Sequence, residues 1–526
     1  MTRYLISRIL RSLVSVVIVV AVIMLLIYSF LDKQSIFASD PVFTKQKNNQ
    51  KVTYQMQQWE QFGYLDYVPF SDFLLEEQKK GNLAPEDYAT VAKLGKTAEA
   101  DGELTAKFAA EFEAKYRAMG YEVERLDGKT MGKSKKYQDG GDPRLYAYKD
   151  IPVLSRLGTY LTGIFQVDNI HYAEGIADED RGLEFTLYDP MYGGDTFSPA
   201  ILGNGTRHKY LLYFDDQFPF IHQNLLTINL GKSYSVNKGI DVFNTMTDTQ
   251  GALRYTMMTY PSGVQEETAD DLHSAVYAGE GSLEKSALNQ RYYVDDYTKV
   301  TNLKSGMSKM GYSFVIGIIA VILSYLLAVP LGILMALKKD KFVDKLGTFY
   351  IVFITAVPSL AYIFMFKAFG GAAGLPTTFN MQEPSTLMYV LPIVSLALPS
   401  VANLMKWLRR YMIDQMNSDY VKFARSGGLS EGEIFRKHIL KNAIIPIVHG
   451  IPASVLGAMT GAIITERVYV VPGVGNVLTT AINAYDNGVI VGVALFYAIL
   501  TVTSVIMGDV LMSMLDPRIS FTSKAR

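Results

Sequence analysis

The sequence predicts an α-helical polytopic membrane protein with a large mixed α/β domain inserted between its first two membrane spans. Three observations lead to this fold class: six long apolar stretches, an alternation of basic and nonbasic loops, and a polar segment of globular texture after the first stretch. The chain has 526 residues, of which 19% are charged, whereas about 25% is usual for soluble proteins. Charged residues are absent from several long continuous stretches, which is typical of membrane spans.

Six apolar stretches have the length of membrane-spanning helices. About 20 apolar residues, rising about 1.5 Å each, cross a hydrocarbon core of about 30 Å. The alternative for any one stretch is a buried helix of a soluble protein, but six together argue against it. The predicted spans are 9–31, 311–337, 346–369, 386–405, 443–464 and 489–512.

The first stretch is predicted to be a retained span rather than a secretory signal peptide. Arg3, Arg8 and Arg11 resemble the basic region of a signal peptide, whose apolar region usually has about 7–15 residues. Here the apolar run is uninterrupted from residue 13 to residue 31, and residues 36–38 form a poor cleavage signal.

Basic residues predict the orientation of the spans, because lysine and arginine accumulate in cytoplasmic loops. They are concentrated at the N-terminus, after the second and fourth spans, and in the C-terminal tail; the loops after the third and fifth spans have almost none, with Arg467 as the exception. Six spans then alternate consistently with both termini in the cytoplasm. This orientation places residues 33–308 outside the cell.

The chain is therefore divided into residues 1–32 with the first span, an external domain at 33–308, and residues 309–526 with five spans and a cytoplasmic loop at about 406–441. Leu104, Phe108, Phe112 and Tyr116 repeat every four residues in the external segment, which predicts one buried helix face. Two runs rich in tyrosine, leucine and isoleucine are typical of strands; they are 209–214 and 225–230.

The residues that catalysis would require are missing. The chain has no cysteine and six widely spaced histidines, so no thiol catalysis and no metal site are expected. Four Gly-Lys-Ser/Thr triplets lack the earlier glycine that a phosphate-binding P-loop requires; they are 95–97, 128–130, 132–134 and 231–233. Because no Gly-x-Ser-x-Gly motif occurs either, we expect no enzyme activity and no cofactor in this chain.

The longest predicted cytoplasmic loop contains the most specific pattern. It is predicted to form two short helices joined at Gly427 and Gly428. Ser430 and Glu433 have the spacing of a capping box at the start of the second helix. Apolar residues within 434–440 give this helix a side that must be buried against another element.

This loop resembles the EAA loop of ABC-importer permeases, in the variant of oligopeptide and dipeptide importers of the OppB/AmiC type. The sequence departs from the motif at Lys422 and Phe423, where the motif has glutamate and alanine, and at Gly427, where lysine is common. Stretches at 330–337, 466–475 and 515–519 resemble the same family. The matching loop residues are Asp419, Tyr420, Val421, Ala424, Arg425, Gly428, Leu429, Ser430, His438, Asn442, Ala443 and Pro446.

The likeness covers residues 1–32 and about 305–526, and it is patchy within 33–308, which indicates an external domain enlarged by insertions. It implies a type I ABC-importer fold in a bacterial plasma membrane of the Gram-positive type. It also implies a second homologous permease, two ATPase subunits that bind ATP and magnesium, and a lipid-anchored extracellular binding protein that delivers peptide; nucleic acid is not an expected partner. The candidate ATPase-coupling residues are Tyr420, Ala424, Arg425, Gly428, Leu429, Ser430, Glu433, Phe435 and Arg436.

Charged residues and prolines within the spans are candidates for the translocation path. An ionisable residue at bilayer depth is costly, and Glu466 stands where the family has an acid; the alternative is a salt bridge with Arg467 or another neighbour. Lys367 is expected to snorkel, and Asp509 to pair or to reach water. Prolines mark helix bends, although they are common in such spans anyway. The candidate path residues are Pro358, Ser359, Pro399, Asn403, Pro452 and Glu466.

Two alternatives stay open at this point. A membrane-anchored receptor or sensor would bind its ligand with the external domain, but it would need neither six spans nor a capped cytoplasmic loop. A permease of the same class for nickel or an opine-like solute is the other alternative, because one permease sequence does not specify cargo. The prediction is a permease subunit of an ATP-driven importer that carries oligopeptides.

Overall fold

A computed structural model of the chain describes residues 2–128, 141–167, 170–172, 177–214, 221–223, 226–235, 238–247, 250, 255–276, 291–292, 299–302, 307–381 and 385–515. The basic C-terminal tail, most of the 515–519 stretch and the triplet at 132–134 lie outside these residues, as does the end of the triplet at 128–130.

The described residues form helices at both ends of the chain and mixed structure between them. The α-helices are α1 Thr2–Phe30, α2 Pro41–Lys45, α3 Asn48–Gln61, α4 Phe70–Lys79, α5 Tyr88–Val91, α6 Glu103–Ala118, α7 Val153–Gly163, α8 Val242–Thr247, α9 Lys309–Leu337, α10 Phe342–Ala356, α11 Ser359–Ala372, α12 Val390–Met416, α13 Asp419–Ser426, α14 Glu431–Glu433, α15 Lys441–His449, α16 Ile451–Tyr469, α17 Val474–Asn483 and α18 Asn487–Leu515. A π-helix, Ile434–Leu440, joins α14 to α15.

The strands all lie between α3 and α9. They are β1 Leu65–Pro69, β2 Glu122–Leu126, β3 Arg144–Asp150, β4 Phe165–Val167, β5 Gly182–Thr186, β6 Ala200–Asn204, β7 Tyr210–Phe214, β8 Ile221–Gln223, β9 Leu226–Ile228, β10 Thr256–Thr259, β11 Gln265–Thr268, β12 Asp270–Val276 and β13 Lys299–Asn302. The predicted strand at 209–214 is therefore present as β7, and the one at 225–230 is shortened to β9.

The described part of the chain contains four helical segments long and apolar enough to cross a membrane; they are Ile6–Phe30, Lys309–Leu337, Thr386–Met416 and Asn487–Met514. Two bent pairs pass the same criterion together: α10 with α11, at an angle of 110°, and Glu431–His449 with α16, at 40°. The described residues thus contain four such helices, or up to six if each bent pair is one span. The count of six stays a prediction.

The sharp bend between α10 and α11 follows from Pro358. A residue before proline is disfavoured in the helical region, and Val357 is extended, with φ −84° and ψ 130°. The helix therefore ends at Ala356, and Pro358 precedes the first turn of α11. Pro452 likewise lies in the first turn of α16, after the break at Gly450. Pro399, in contrast, lies within α12, which continues through it.

Helix α12 is longer than the sequence predicted. The fourth span was expected to end at 405 and a loop to begin at about 406, but α12 continues to Met416. No glycine or proline interrupts residues 406–416, and Leu408 and Met412 are buried in the cluster that also holds the following loop. Burial of these two side chains stabilises the extra turns.

The first part of the segment 33–308 has three layers. β1, β3 and β2 form an antiparallel sheet with β3 in the centre. Side chains alternate across the central strand: Leu145 and Ala147 pack with α4 and α6, while Tyr146 packs on the other face with Trp59 of α3. On α6 the predicted buried face is present, except that Leu104 is exposed and Thr105 is buried in its place.

The segment 33–308 also packs directly on the long apolar helices. One apolar cluster combines Val20 and Met24 of α1, Val242 and Met246 of α8, and Val489 of α18. It includes buried side chains of α17, and partly buried side chains of α7 pack against it. The segment is thus not a separate globule but shares a core with the first and last long helices.

A buried carboxylate ties the same regions together. Asp486, at the start of α18, is fully buried. Its oxygens accept hydrogen bonds from Ser233 Oγ at 2.6 Å, from the backbone N–H of Tyr234 at 2.8 Å and from the backbone N–H of Ser235 at 3.0 Å. The neighbouring Asn487 donates to the hydroxyl of Tyr64 at 2.9 Å.

Candidate functional site

The candidate coupling loop begins where α12 ends and is folded by local signals. Helix α13 ends in a Schellman motif, in which the residue after the C-cap is left-handed. Gly428 has φ +83°, its N–H donates to the carbonyl of Arg425 at 3.1 Å, and the N–H of Leu429 donates to the carbonyl of Ala424 at 3.3 Å. The predicted joint between the two short helices is therefore a defined turn.

The second helix starts with the predicted capping box. The Ser430 hydroxyl accepts from the backbone N–H of Glu433 at 3.3 Å, and the Glu433 carboxylate accepts from the backbone N–H of Ser430, also at 3.3 Å. Hydrogen bonds from the side chain and backbone of Ser430 lower the pKa of Glu433. The carboxylate is therefore ionised and satisfies an otherwise unpaired N–H at the helix start.

The inner side of the loop is packed on the ends of the spans. Val421, Ile434 and Ile439 are buried with Met412 of α12 and Ala336 of α9. The candidate residues Ala424 and Phe435 pack against this group, half-buried. The apolar side predicted for residues 434–440 is thus covered by α9 and α12, and the loop is fixed to both helices.

Polar residues hold the π-helix within the loop. A π-helix has wider hydrogen-bond spacing than an α-helix and occurs mostly in short pieces. Asn442 Nδ2 donates to the carbonyl of His438 at 2.9 Å and to the hydroxyl of Tyr420 at 3.1 Å. The Tyr420 hydroxyl is also 3.2 Å from the His438 carbonyl oxygen. Tyr420, His438 and Asn442 therefore connect the two loop helices.

The outer side of the loop is exposed and partly apolar. Phe423 is 76% exposed, and Tyr420 and Leu429 are exposed beside it. Arg425 donates to both carboxylate oxygens of Glu431, at 2.6 Å and 3.0 Å, and this ion pair lowers the pKa of Glu431. Phe423 was not among the candidate residues, although its departure from the family motif was the signal that could have identified it.

The remaining coupling candidates lie on this outer side or at its edge. Gly428, Ser430, Glu433 and Arg436 are exposed. The structure therefore separates the nine candidates into two that face the spans and seven that face outward. Their contacts with an ATPase stay a prediction.

The six path candidates are distributed over three helices and one break. Pro358 and Ser359 are exposed at the bend before α11, Pro399 is half-buried and Asn403 exposed on α12, and Pro452 is buried on α16. Among the described residues, no hydrogen bond or ion pair joins any two of the six. Their role in a path stays a prediction.

Glu466 caps a helix instead of pairing with Arg467. It is 1% exposed, and its carboxylate accepts from Ser313 Oγ at 2.7 Å and from the backbone N–H of Asn476, in the first turn of α17, at 3.1 Å. A negative charge at a helix N-terminus is favourable. Arg467 donates to the Asn476 side chain at 3.2 Å, so the alternative salt bridge with Arg467 is wrong.

Two glycines make room for the Glu466 carboxylate. A Cβ atom built on Gly473 would lie 2.3 Å from the carboxyl carbon, and one built on Gly475 would lie 2.8 Å from Oε2. Both distances are shorter than any real contact, so only glycine fits at these two positions. This explains the family-like sequence at 466–475 in structural terms.

The other charged residues of the spans also have partners. Asp509 forms an ion pair with Arg8 at 3.1 Å, which confirms its predicted pairing. The ammonium of Lys367 donates to the carbonyl of Val468 at 2.6 Å, and its snorkelling stays a prediction. Among the residues that the structure describes, no group of three His, Asp or Glu side chains is placed to hold a metal ion.

These features define a class: a polytopic helical membrane protein with a structured loop joining α12 to α16. Residues 328–521 match the family described as binding-protein-dependent transport system inner membrane component. The chain is 32% identical over 529 residues to the oligopeptide transport system permease protein AmiC of Streptococcus pneumoniae, covering 100% of this chain and 99% of AmiC.

Two relatives in Bacillus subtilis match over a shorter part of the chain. The dipeptide transport system permease protein DppB is 28% identical over 213 residues, which are 40% of this chain and 68% of DppB. The oligopeptide transport system permease protein AppB is 25% identical over 266 residues, which are 45% of this chain and 84% of AppB. The chain belongs to the family of ABC-importer permeases of the oligopeptide and dipeptide type. It is a transport subunit and not an enzyme, and this class works with ATPase and binding-protein partners.

Proposed function

We propose that the chain forms half of the translocation path of an oligopeptide importer. The other half is a second homologous permease, two ATPase subunits supply the energy, and a lipid-anchored binding protein delivers peptide from outside. Each bent helix pair is one span in this proposal, which gives the six spans of a type I importer with both termini in the cytoplasm. The membrane is the plasma membrane of a Gram-positive type bacterium.

The observation that carries the proposal is the two-sided loop between α12 and α16. Its inner side is buried with α9 and α12, and its outer side exposes Phe423, Tyr420 and Leu429. Apolar side chains exposed in a cluster are typical of a surface that meets a partner. In a permease, the partner of the cytoplasmic loop is the ATPase.

The packing explains how movement of the ATPase reaches the spans. Close-packed interiors transmit displacement because they resist compression. Val421 and Ile434 of the loop share one cluster with Leu408 of α12 and Ala336 of α9. A push on the outer side therefore moves the inner ends of α9 and α12 with the loop. The Schellman turn and the capping box prevent the loop from absorbing the push.

The coupling residues have different roles in this proposal. Tyr420 and Leu429 contact the ATPase cleft together with Phe423, and Arg425 and Arg436 meet its acidic groups. Gly428, Ser430 and Glu433 fix the shape of the turn, while Ala424 and Phe435 attach the loop to the spans. The path, formed with the second permease, includes Pro358, Ser359, Pro399, Asn403, Pro452 and Glu466.

The cargo and the external segment complete the proposal. The relatives AmiC, AppB and DppB are named for oligopeptide or dipeptide transport, and this supports peptide as the cargo. The segment 33–308 stands over the entrance and receives peptide from the binding protein. Its shared core with α1 and α18 holds it at that place.

The test replaces the exposed aromatic residue of the loop. Phe423→Ser should reduce the amount of ATPase that copurifies with the permease by about tenfold or more, because losing an interface hot spot costs about 2 kcal/mol or more. Peptide uptake into proteoliposomes should fall in parallel. The control is Met119→Ser, which changes another exposed apolar side chain, on the external segment.

Normal copurification and uptake in Phe423→Ser would contradict the docking role. Uptake assays with labelled oligopeptides, nickel and an opine-like solute test the cargo separately. If the wild-type complex carries nickel or the opine-like solute and no peptide, the cargo assignment is wrong while the docking role stands.

A further inference from the structure

A cavity of about 270 Å³ lies where the external segment meets the C-terminal end of α1. Its walls come from α1, from α7 and from the turn after β9. In the proposed topology this end of α1 is at the outer surface of the membrane. Lining residues with polar side chains include Tyr28, Arg156, Thr159, Tyr160, Lys232 and Tyr234.

Arg156 is held in the cavity by aromatic rings. Its guanidinium carbon lies 3.7 Å from the ring centre of Tyr28 and 3.9 Å from that of Tyr64. Cations bind the faces of such rings. The hydroxyls of Tyr28 and Tyr234 are 3.1 Å apart, and Tyr160 donates to the carbonyl of Leu230 at 3.1 Å. The guanidinium is therefore positioned before any ligand arrives.

The cavity contains an arginine that forms no ion pair with any described carboxylate. Arg156 and Lys232 line it, and no Asp or Glu is among its described lining residues. Lys232 is paired with Asp241 in an isolated β-bridge, and the charge of Lys232 acts on the Asp241 carboxyl. Arg156 has no such partner among the described residues: Asp150 pairs with Lys33 at 3.0 Å, and Asp486 accepts hydrogen bonds from residues 233–235. A partly buried cation without a counter-ion is costly, so an anion from outside would stabilise this arrangement.

The surroundings of the cavity indicate which anion this is. Side chains close to Arg156 and Tyr28 in the chain are apolar and exposed: Leu154 at 70%, Phe30 at 81% and Phe165 at 60%. Exposed apolar residues next to an arginine are typical of the membrane interface, where long basic side chains reach lipid headgroups. A peptide carboxylate, in contrast, is expected in an aqueous path.

We propose that this cavity binds the phosphodiester headgroup of an anionic phospholipid from the outer leaflet. The Arg156 guanidinium donates a forked pair of hydrogen bonds to two phosphate oxygens. Lys232, which also faces Asp241, lines the same cavity. The acyl chains lie along the exposed apolar side of α1, which includes Leu25 and Leu26. The lipid thereby connects α1 with α7 and the external segment.

The first test measures lipid binding to the full-length permease purified with its partner subunits in detergent. Phosphatidylglycerol should be retained in native mass spectra and should raise the melting temperature, whereas phosphatidylcholine should do neither. In Arg156→Gln the apparent affinity for phosphatidylglycerol should fall about tenfold or more, because a hydrogen bond to a charged group is lost. The matched control is Arg117→Gln, which removes an exposed arginine paired with Glu113 on α6 and should bind as the wild type does.

The second test does not depend on the folding of an Arg156 variant. The chain has no cysteine, so Thr159→Cys places a single thiol in the cavity wall. Phosphatidylglycerol should slow its modification by a charged thiol reagent several-fold, and phosphatidylcholine should not. Equal protection by both lipids overturns the proposal, as does wild-type affinity in Arg156→Gln. Protection by a peptide with a free carboxyl end, but not by phosphatidylglycerol, would identify the cavity as a peptide site instead.

Discussion

The left-handed turn at Gly428 allows a direct test of the coupling loop. Its φ is +83°, and a Cβ built there meets no atom within 4 Å. The cost of any substitution is therefore a cost of backbone conformation and not of a clash. A residue with a Cβ in this region costs about 1–2 kcal/mol, and a β-branched residue is a stronger outlier than asparagine, which adopts the left-handed region more readily.

Three variants distinguish the effect of backbone conformation at Gly428 from the effect of side-chain size. Gly428→Val should reduce the population of the folded turn about tenfold, Gly428→Asn should be close to wild type, and Gly432→Val should have little effect. Gly432 is the matched control because its built Cβ also meets nothing within 4 Å and no positive φ is recorded for it. It lies in the exposed first turn after Ser430.

The assay compares ATP hydrolysis with uptake. In proteoliposomes that contain the complete importer, Gly428→Val should lose most of the ATPase stimulation by the binding protein and most peptide uptake, while copurification of the second permease is unchanged. Gly428→Asn should restore both activities. If the valine variant transports at the normal rate, or if asparagine fails as valine does, the turn is not the element that couples the two proteins.

Three further predictions concern local stability. Ser430→Ala should cost about 1 kcal/mol through the lost cap and speed amide hydrogen exchange in residues 431–440. Asp486→Ala removes the acceptor of three hydrogen bonds from residues 233–235, so it should cost about 1–3 kcal/mol and make the segment around residues 229–235 sensitive to protease. The control Asp178→Ala, which removes an exposed carboxylate that pairs with Arg181, should do neither. Burial acts to raise the pKa of Asp40, but Lys238, Tyr54 and two backbone N–H groups outweigh it and lower the pKa. The carboxylate therefore stabilises the fold above its unfolded pKa, and this contribution is lost as pH falls through the lowered pKa. In a plot of melting temperature against pH, Asp40→Asn should reduce the fall in melting temperature at acid pH.

The local features of the loop could be predicted from the sequence, because they depend on neighbouring residues. The spacing of Ser430 and Glu433 specifies a capping box, and Gly428 specifies a left-handed position; both are present. The end of α12 could not be predicted, since residues 406–416 are charged enough for a loop and are kept helical by burial of Leu408 and Met412.

Features that depend on distant residues were missed. No local pattern connects Asp486 with residues 233–235, or Glu466 with Ser313, because each contact joins segments far apart in the chain. Leu104 follows the four-residue repeat of α6, yet it is exposed. The repeat identifies a helix face but does not show how far along this face the neighbouring elements reach. The exposure of Phe423 likewise depends on which side of α13 the spans cover.

The shared core of α1, α8 and α18 has a consequence for biosynthesis. Tyr64 and Asn487 are joined by a hydrogen bond and are 423 positions apart in the chain. A ribosome releases the first helix long before the last one, so α1 must wait in the bilayer, without the partner that covers Val20 and Met24, until synthesis is almost complete. Such late contacts slow folding, and the Tyr64 hydroxyl lacks its hydrogen bond from Asn487 in the meantime. A chain that stops before residue 486 would therefore contain a complete α1 but lack the helix α18 that shares a core with Val20 and Met24.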